Sequence, residues 1–265
     1  MDEKQLTVIE HIEELRKRLM IIVVFFAFSV IGSFFLAKPL IKYLQENGEA
    51  QDITFNAFNV LDPIFILVKV IVILAIVIIS PVIMFQFWSF ISPGLKDTER
   101  RVTLSYIPFA FFLFLAGVAF SYFVLIPYIM GFMKMLSGDL DIQQTIGINE
   151  YFNFLIQLTI PFGLVFQLPV VMLFLSRLGF LNPEWLAKSR KYAYFILFVI
   201  AAFITPPDIF SHLFTTVPLI LLFEISLFIS RFGYKKYLKA EEELKIQQIK
   251  EEQQRQIDEV MNQLK

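Results

Sequence analysis

Six long apolar runs, separated by short polar connections, set the pattern of this chain. Charge-free stretches cover residues 19–37, 70–95, 102–133, 151–176 and 192–205, and a sixth, 209–230, is interrupted only by Glu224. A helix needs roughly 20 apolar residues to cross a bilayer core. Backbone groups in lipid must bond within their own segment, and runs of this length form helices, not barrel strands. The pattern predicts an all-α integral membrane protein with six transmembrane helices, at about 19–37, 70–90, 102–126, 151–176, 190–205 and 209–230. Trp88 and Ser92-Pro93-Gly94 mark the end of the second, and Pro127 the end of the third. Residues 1–18 precede this membrane domain of 19–230, and 231–265 follow it as a polar tail.

The pieces between the spans differ in character. Ile9, Ile12, Leu15 and Leu19 form a stripe at helical spacing, so an amphipathic helix leads into the first span. The connection 38–69 carries Phe55, Phe58, Ile64, Phe65 and Leu67, too apolar for a free loop, and is expected to form a cap of short helices. The fifth span is short: about 14 apolar residues reach roughly 21 Å against a core of about 30 Å. Either the bilayer thins there or partner helices shield it. Apolar positions in the tail are thinly spaced, as in a solvated helix; a docking element is the other possibility. No internal repeat and no inverted pair of broken spans is evident.

Charge gives the orientation. Lys4, Arg16, Lys17 and Arg18, then Lys96, Arg100 and Arg101, then Arg177, Lys188, Arg190 and Lys191, and finally Arg231, Lys235, Lys236 and Lys239 all fall on one side. The opposite connections are poor in cations, so both termini are expected to be cytoplasmic. With 57% hydrophobic and 18% charged residues, the composition is that of a membrane protein. A net charge of −1 gives no reason to expect a nucleic-acid partner. The first apolar run is too long for the core of a cleavable signal peptide and lacks a small-residue cleavage site. No glycine precedes a lysine, so there is no nucleotide-binding P-loop; HExxH and GxSxG are absent too, and there is no cysteine. The chain is expected to be no enzyme and to hold no metal or cofactor.

Several polar groups stand out. Glu14 has a structural explanation as the partner of Arg18 at i,i+4, just as Glu13 has with Lys17. Glu99 lies where an acid complements the dipole of the third helix, which Asp97 or Thr98 can cap. Glu224 is the sole carboxylate well inside a span, a costly placement that implies function or inter-helix bonding. Gln167, beside Pro169, is the neutral polar group of the fourth span, and Asp208 is placed to cap the sixth helix.

HIEELRKRL (11–19), FQFWSFISPGLKDTERR (85–101), FGLVFQLPVV (162–171), FITPPDIFS (203–211) and FEISLFISR (223–231) together resemble the TatC component of the twin-arginine protein translocase, over about residues 8–235. The resemblance implies a six-span bundle bowed like a cupped hand, with an external cap and cytoplasmic termini, in a bacterial-type cell membrane. It implies a subunit that binds signal peptides carrying consecutive arginines on folded cargo, gathers single-span partners of the TatA or TatA and TatB type in a multimeric complex, and draws on the proton-motive force. Glu14 and Glu99 match the family's two acidic positions for the arginine pair. Leu15, Phe90 and Pro93 fit its shape-determining positions, while Arg16, Lys17, Arg18, Arg100 and Arg101 would hold the carboxylates and touch anionic membrane lipid. The partner site would lie around Thr205, Asp208 and Glu224. Gln167 stands where many members have glutamate, and His212 where some have glutamine.

The chemistry fits such a role. A guanidinium is a planar fork of donors that meets a carboxylate in two parallel bonds, whereas an ammonium is a point donor. A rival from another class is a secondary transporter using Glu224 and Gln167 along an ion path; a ligand-free membrane scaffold is a third possibility.

Overall fold

The computed structural model describes residues 8–51, 53–91, 106–205 and 208–263. Among these, the regular structure is helical: α1 (Val8–Glu46), a 3₁₀ turn (Gly48–Ala50), α2 (Asp62–Ile91), α3 (Tyr106–Phe120), α4 (Ile126–Asp139), α5 (Ile148–Val165), α6 (Leu168–Arg177), α7 (Pro183–Lys188), α8 (Arg190–Ile204) and α9 (Ile209–Gln263). Among the described residues, five helical stretches are long and apolar enough to cross a membrane: Ile12–Glu46, Asp62–Phe90, Tyr106–Asp139, Ile148–Arg177 and Ile209–Asp258. The 15 residues of α8 rise only about 22 Å and fall short of that length. Large apolar side chains such as Phe28, Phe35, Phe87, Phe112 and Phe195 lie outermost, as expected where the solvent is lipid.

Prolines inside the spans are compensated locally. Pro81 in α2 has no N–H to offer the Val77 carbonyl; the hydroxyl of the preceding Ser80 donates to it instead, at 2.7 Å. Pro127 does not end the third span, contrary to the expectation from sequence. A π-helical turn over Ser121–Leu125 links α3 to α4, Pro127 falls in the first turn of α4, where a missing N–H costs least, and helix continues to Asp139. The first connection also differs from the expected set of short helices. α1 and α2 simply extend toward each other, and among the described residues one 3₁₀ turn lies between them.

By contact, the described residues form two compact units, one up to Gln167 together with 202–215, the other comprising 168–201 and 216 onward. In the first, α1 packs antiparallel on α2, and α3 packs on α5. The connection after α1 is pinned to the start of α5: the Ile148 N–H donates to the Asn56 carbonyl at 2.9 Å, and Phe55 packs on Tyr151. The Lys69 ammonium donates to Asn149 and Asn153, both at 2.7 Å, which secures a charge near the end of the apolar run.

The α3–α5 seam depends on two glycines. A Cβ at Gly117 would lie 2.7 Å from the Phe162 carbonyl oxygen, and one at Gly163 would lie 2.7 Å from the Phe114 ring. Close approach through small residues is the usual basis of helix association in membranes. Gly117→Ala is expected to cost about 1–3 kcal/mol through overpacking against an atom that cannot rotate away. Gly131, also helical, has nothing within 4 Å of a built Cβ, so Gly131→Ala is the matched control. Thermal unfolding in detergent should separate the two variants; equal midpoints would show that the seam yields.

In the second unit, Gly233 brings α9 against α6, since a Cβ there would sit 2.7 Å from the Leu173 carbonyl oxygen. Gly179, at φ +78, ends α6 beneath the ring of Tyr237. α9 runs as one helix through Gln263. Its polar part has no proline, and i,i+4 pairs such as Glu241–Lys245 at 2.8 Å support it.

Candidate functional site

Glu14 lies on the first turns of α1, where the amphipathic stripe turns into the fully apolar run. Its carboxylate is bonded by the Arg18 guanidinium one turn on, and the pair is partly buried. Glu13 and Lys17 form the parallel pair at 3.1 Å, but well exposed. The Arg18 Nε is buried and has no acceptor among the described residues, so Arg18 keeps unused donor capacity beside the acid. Leu15 and Arg16 are exposed on the same turns. Phe90 is half-buried in the last turn of α2. Because α1 and α2 run antiparallel, Glu14 and Phe90 occupy the same end of that hairpin. Pro93, Glu99, Arg100 and Arg101, which continue from there, lie outside the described residues.

Glu224 is engaged on both oxygens. The Arg190 Nε donates to Oε1 at 2.8 Å and its terminal nitrogen to Oε2 at 2.9 Å, a bidentate fork. The Tyr194 hydroxyl also donates to Oε1, at 2.5 Å. An acid on α9 thereby fastens α8, which is the inter-helix bonding left open by the sequence. Arg190 and Tyr194 escaped sequence reasoning, although a signal was present. They lie one turn apart on α8, the spacing that puts two polar groups on one helix face.

Asp208 caps α9, its Oδ1 accepting from the Ser211 N–H at 2.7 Å. His212 follows in the first turn, and Thr205 is buried just after α8. Gln167 sits in the break between α5 and α6, where its side-chain amide donates to the Ala110 carbonyl at 3.0 Å and ties the break to α3. Both intramembrane groups of the transporter reading are thus committed to structural bonds. Among the described residues no cluster of three His, Cys, Asp or Glu is placed to hold a metal ion.

Comparison with known proteins points to one family. The family described as "TatC: Sec-independent protein translocase protein (TatC)" matches residues 10–218. The protein TatCy of Bacillus subtilis, a Sec-independent protein translocase protein, is 56% identical over 240 residues, covering 91% of this chain and 94% of its own length. A TatC of Halalkalibacterium halodurans is 50% identical, covering 91% of this chain and 95% of its own. A crystal structure described as the twin-arginine translocase receptor TatC superposes with a TM-score of 0.75 at 33% identity, covering 84% of this chain and 99% of that one.

Proposed function

The chain belongs to the TatC family of Sec-independent protein translocase components, and from this premise we propose that it reads paired arginines in the signal peptides of folded cargo. As a TatC protein it is a core subunit of the twin-arginine translocase, a membrane protein that works with other translocase subunits and not an enzyme. The reading adds six spans in a cup-shaped bundle, both termini in the cytoplasm, and residence in a bacterial cytoplasmic membrane. Support for six comes from α8, which is apolar throughout after Lys191, and from the cation-rich connections that alternate with cation-poor ones.

The single observation that carries the recognition site is Glu14 in its partly buried pair with Arg18, at the apolar boundary of α1. An acid already holding a guanidinium there is chemically suited to hold an incoming one. Glu99 supplies the second acid, Arg16, Arg18, Arg100 and Arg101 orient the pair and touch anionic lipid, and Leu15, Phe90 and Pro93 shape the rim. Export of a folded reporter behind an Arg-Arg leader, compared with Lys-Lys, tests the function in cells lacking this chain. Complementation should restore Arg-Arg export alone; equal export of both leaders would contradict the assignment.

Single-span TatA- or TatB-type partners dock around Thr205, Asp208 and His212, with Glu224 and Gln167 holding the adjoining helices, and further copies assemble into a larger complex. Asp208 Oδ2 and the hydroxyls of Ser211 and Thr215 have no hydrogen-bond partner among the described residues, which leaves polar capacity at the start of α9. The chain has no cysteine of its own, so cysteines placed at Thr205 or Ile209 report cleanly. A disulfide to the partner's span is expected from at least one; failure of both in active complexes removes this site.

A further inference from the structure

Where the apolar part of α9 ends, an open groove of about 640 Å³ lies between α7 and α9. Arg231, Tyr234, Lys235 and Leu238 line it from one face of α9. Lys188 and Glu184, one turn apart, face it from α7, with Pro183 and Ala187 as apolar floor. The walls are fixed by the Gly233 and Gly179 contacts described above and by Asn182, whose side-chain oxygen accepts from the Glu184 N–H at 2.8 Å and caps α7.

Three cations therefore meet one acid across a largely apolar floor. Lys188, Arg231 and Lys235 form no salt bridge with any described residue. Glu224, whose field reaches Arg231, is already committed to Arg190 and Tyr194. Ser230 closes the apolar run and Arg231 opens the charged one, which puts the groove at headgroup level. Trp185, next to the lining Glu184, and Phe180, three residues before Pro183, are 66% and 80% exposed, as interfacial aromatics are. A soluble anion or an acidic peptide satisfies the cations but not the apolar floor and rim; a phospholipid satisfies both.

We propose that this groove binds the phosphodiester of an anionic phospholipid, with Lys188, Arg231 and Lys235 around the headgroup and the acyl chains along the apolar floor. The inference rests on the reading of 209–230 as a span, and its leaflet on the assignment of the tail to the cytoplasm. It is distinct from the lipid contacts assigned above to cations near Glu14 and Glu99.

Trp185 and Trp88 are the two tryptophans of the chain, so a Trp88→Phe background makes Trp185 the reporter. The protein is placed in phosphatidylcholine nanodiscs with an equal mole fraction of bromine-labelled phosphatidylglycerol or bromine-labelled phosphatidylcholine. The anionic lipid is expected to quench Trp185 more strongly, with relative occupancy raised about fivefold for each net positive charge at the groove. K188Q/R231Q/K235Q should abolish the preference, and Glu184→Gln, which removes the opposing acid, should strengthen it even where the triple variant does not fold. Equal quenching by the two lipids, or a preference that survives the triple substitution, overturns the proposal. Loss of the preference on adding inorganic phosphate or an acidic peptide overturns the lipid assignment in favour of a soluble ligand. A cysteine at Ala240 that is labelled from outside intact cells would overturn the orientation, while the quenching result would stand on its own.

Discussion

Glu99→Ala is expected to abolish cross-linking between an Arg-Arg signal peptide and this protein, while the protein still inserts in the membrane. Glu14→Ala should weaken the same cross-link severely. The size of the effect follows from the setting. On the proposed reading both acids act at the membrane rim, where water is partly excluded, and truncating one partner of a desolvated charge pair costs about 2–5 kcal/mol. Even about 2 kcal/mol at each acid corresponds to a loss of roughly a thousandfold when both sites go. Arginine is demanded because of geometry as well as charge. The same chain displays the fork in its internal pair, where Arg190 meets both oxygens of Glu224 at 2.8 and 2.9 Å. A lysine offers no such planar pair of donors. At Glu14 the Arg18 guanidinium already occupies the carboxylate, so an incoming arginine shares or displaces it. Normal export by Glu99→Ala would refute this assignment.

Breaking the Arg190–Glu224 pair has the second largest expected effect. Arg190→Ala should lower the stability of the membrane-extracted protein by about 2 kcal/mol, less than the roughly 3–5 kcal/mol of a fully buried pair because both side chains are more than a third exposed. The cost arises from the acid left behind. Glu224 lies seven residues before Arg231, roughly 10 Å along the helix into the apolar region, and would keep only the Tyr194 bond. Replacing both residues, Arg190→Ala with Glu224→Leu, removes the stranded charge and should restore much of the loss. Thermal midpoints of the four proteins in a double-mutant cycle measure the coupling. Purely additive effects would mean that the pair contributes nothing beyond its separate side chains.

Much of this was legible in the sequence because the bilayer imposes one strong rule, that backbone must be satisfied internally. Long apolar runs then read directly as helices, but their ends did not: Ile12–Glu46, Asp62–Phe90 and Ile209–Asp258 reach well beyond the apolar runs at 19–37, 70–90 and 209–230, and Tyr106–Asp139 runs past Pro127. That proline misled because a simple breaker rule ignores a π turn, which here lies directly before it. Asp208 was readable as a cap since capping is local chemistry. The partner of Glu224 was not read, although the acid itself was conspicuous: pairing across a hairpin depends on the place of the bend, which neither periodicity nor charge counting supplies. Gln167 was recognised as an unusual polar group, but its bond to a backbone carbonyl on α3 depends on packing set by Gly117 and Gly163. The acid of the stretch 92–101 was singled out from its motif, and its place in space rests on residues outside those described.

The most direct measurement is the Kd of the purified protein for Arg-Arg and Lys-Lys signal peptides, before and after Glu14→Gln and Glu99→Gln are combined. The unaltered protein should prefer Arg-Arg, and the combined variant should bind at least about a hundredfold more weakly and lose that preference. Unchanged affinity and an intact preference in the neutralised protein would contradict recognition by these two carboxylates.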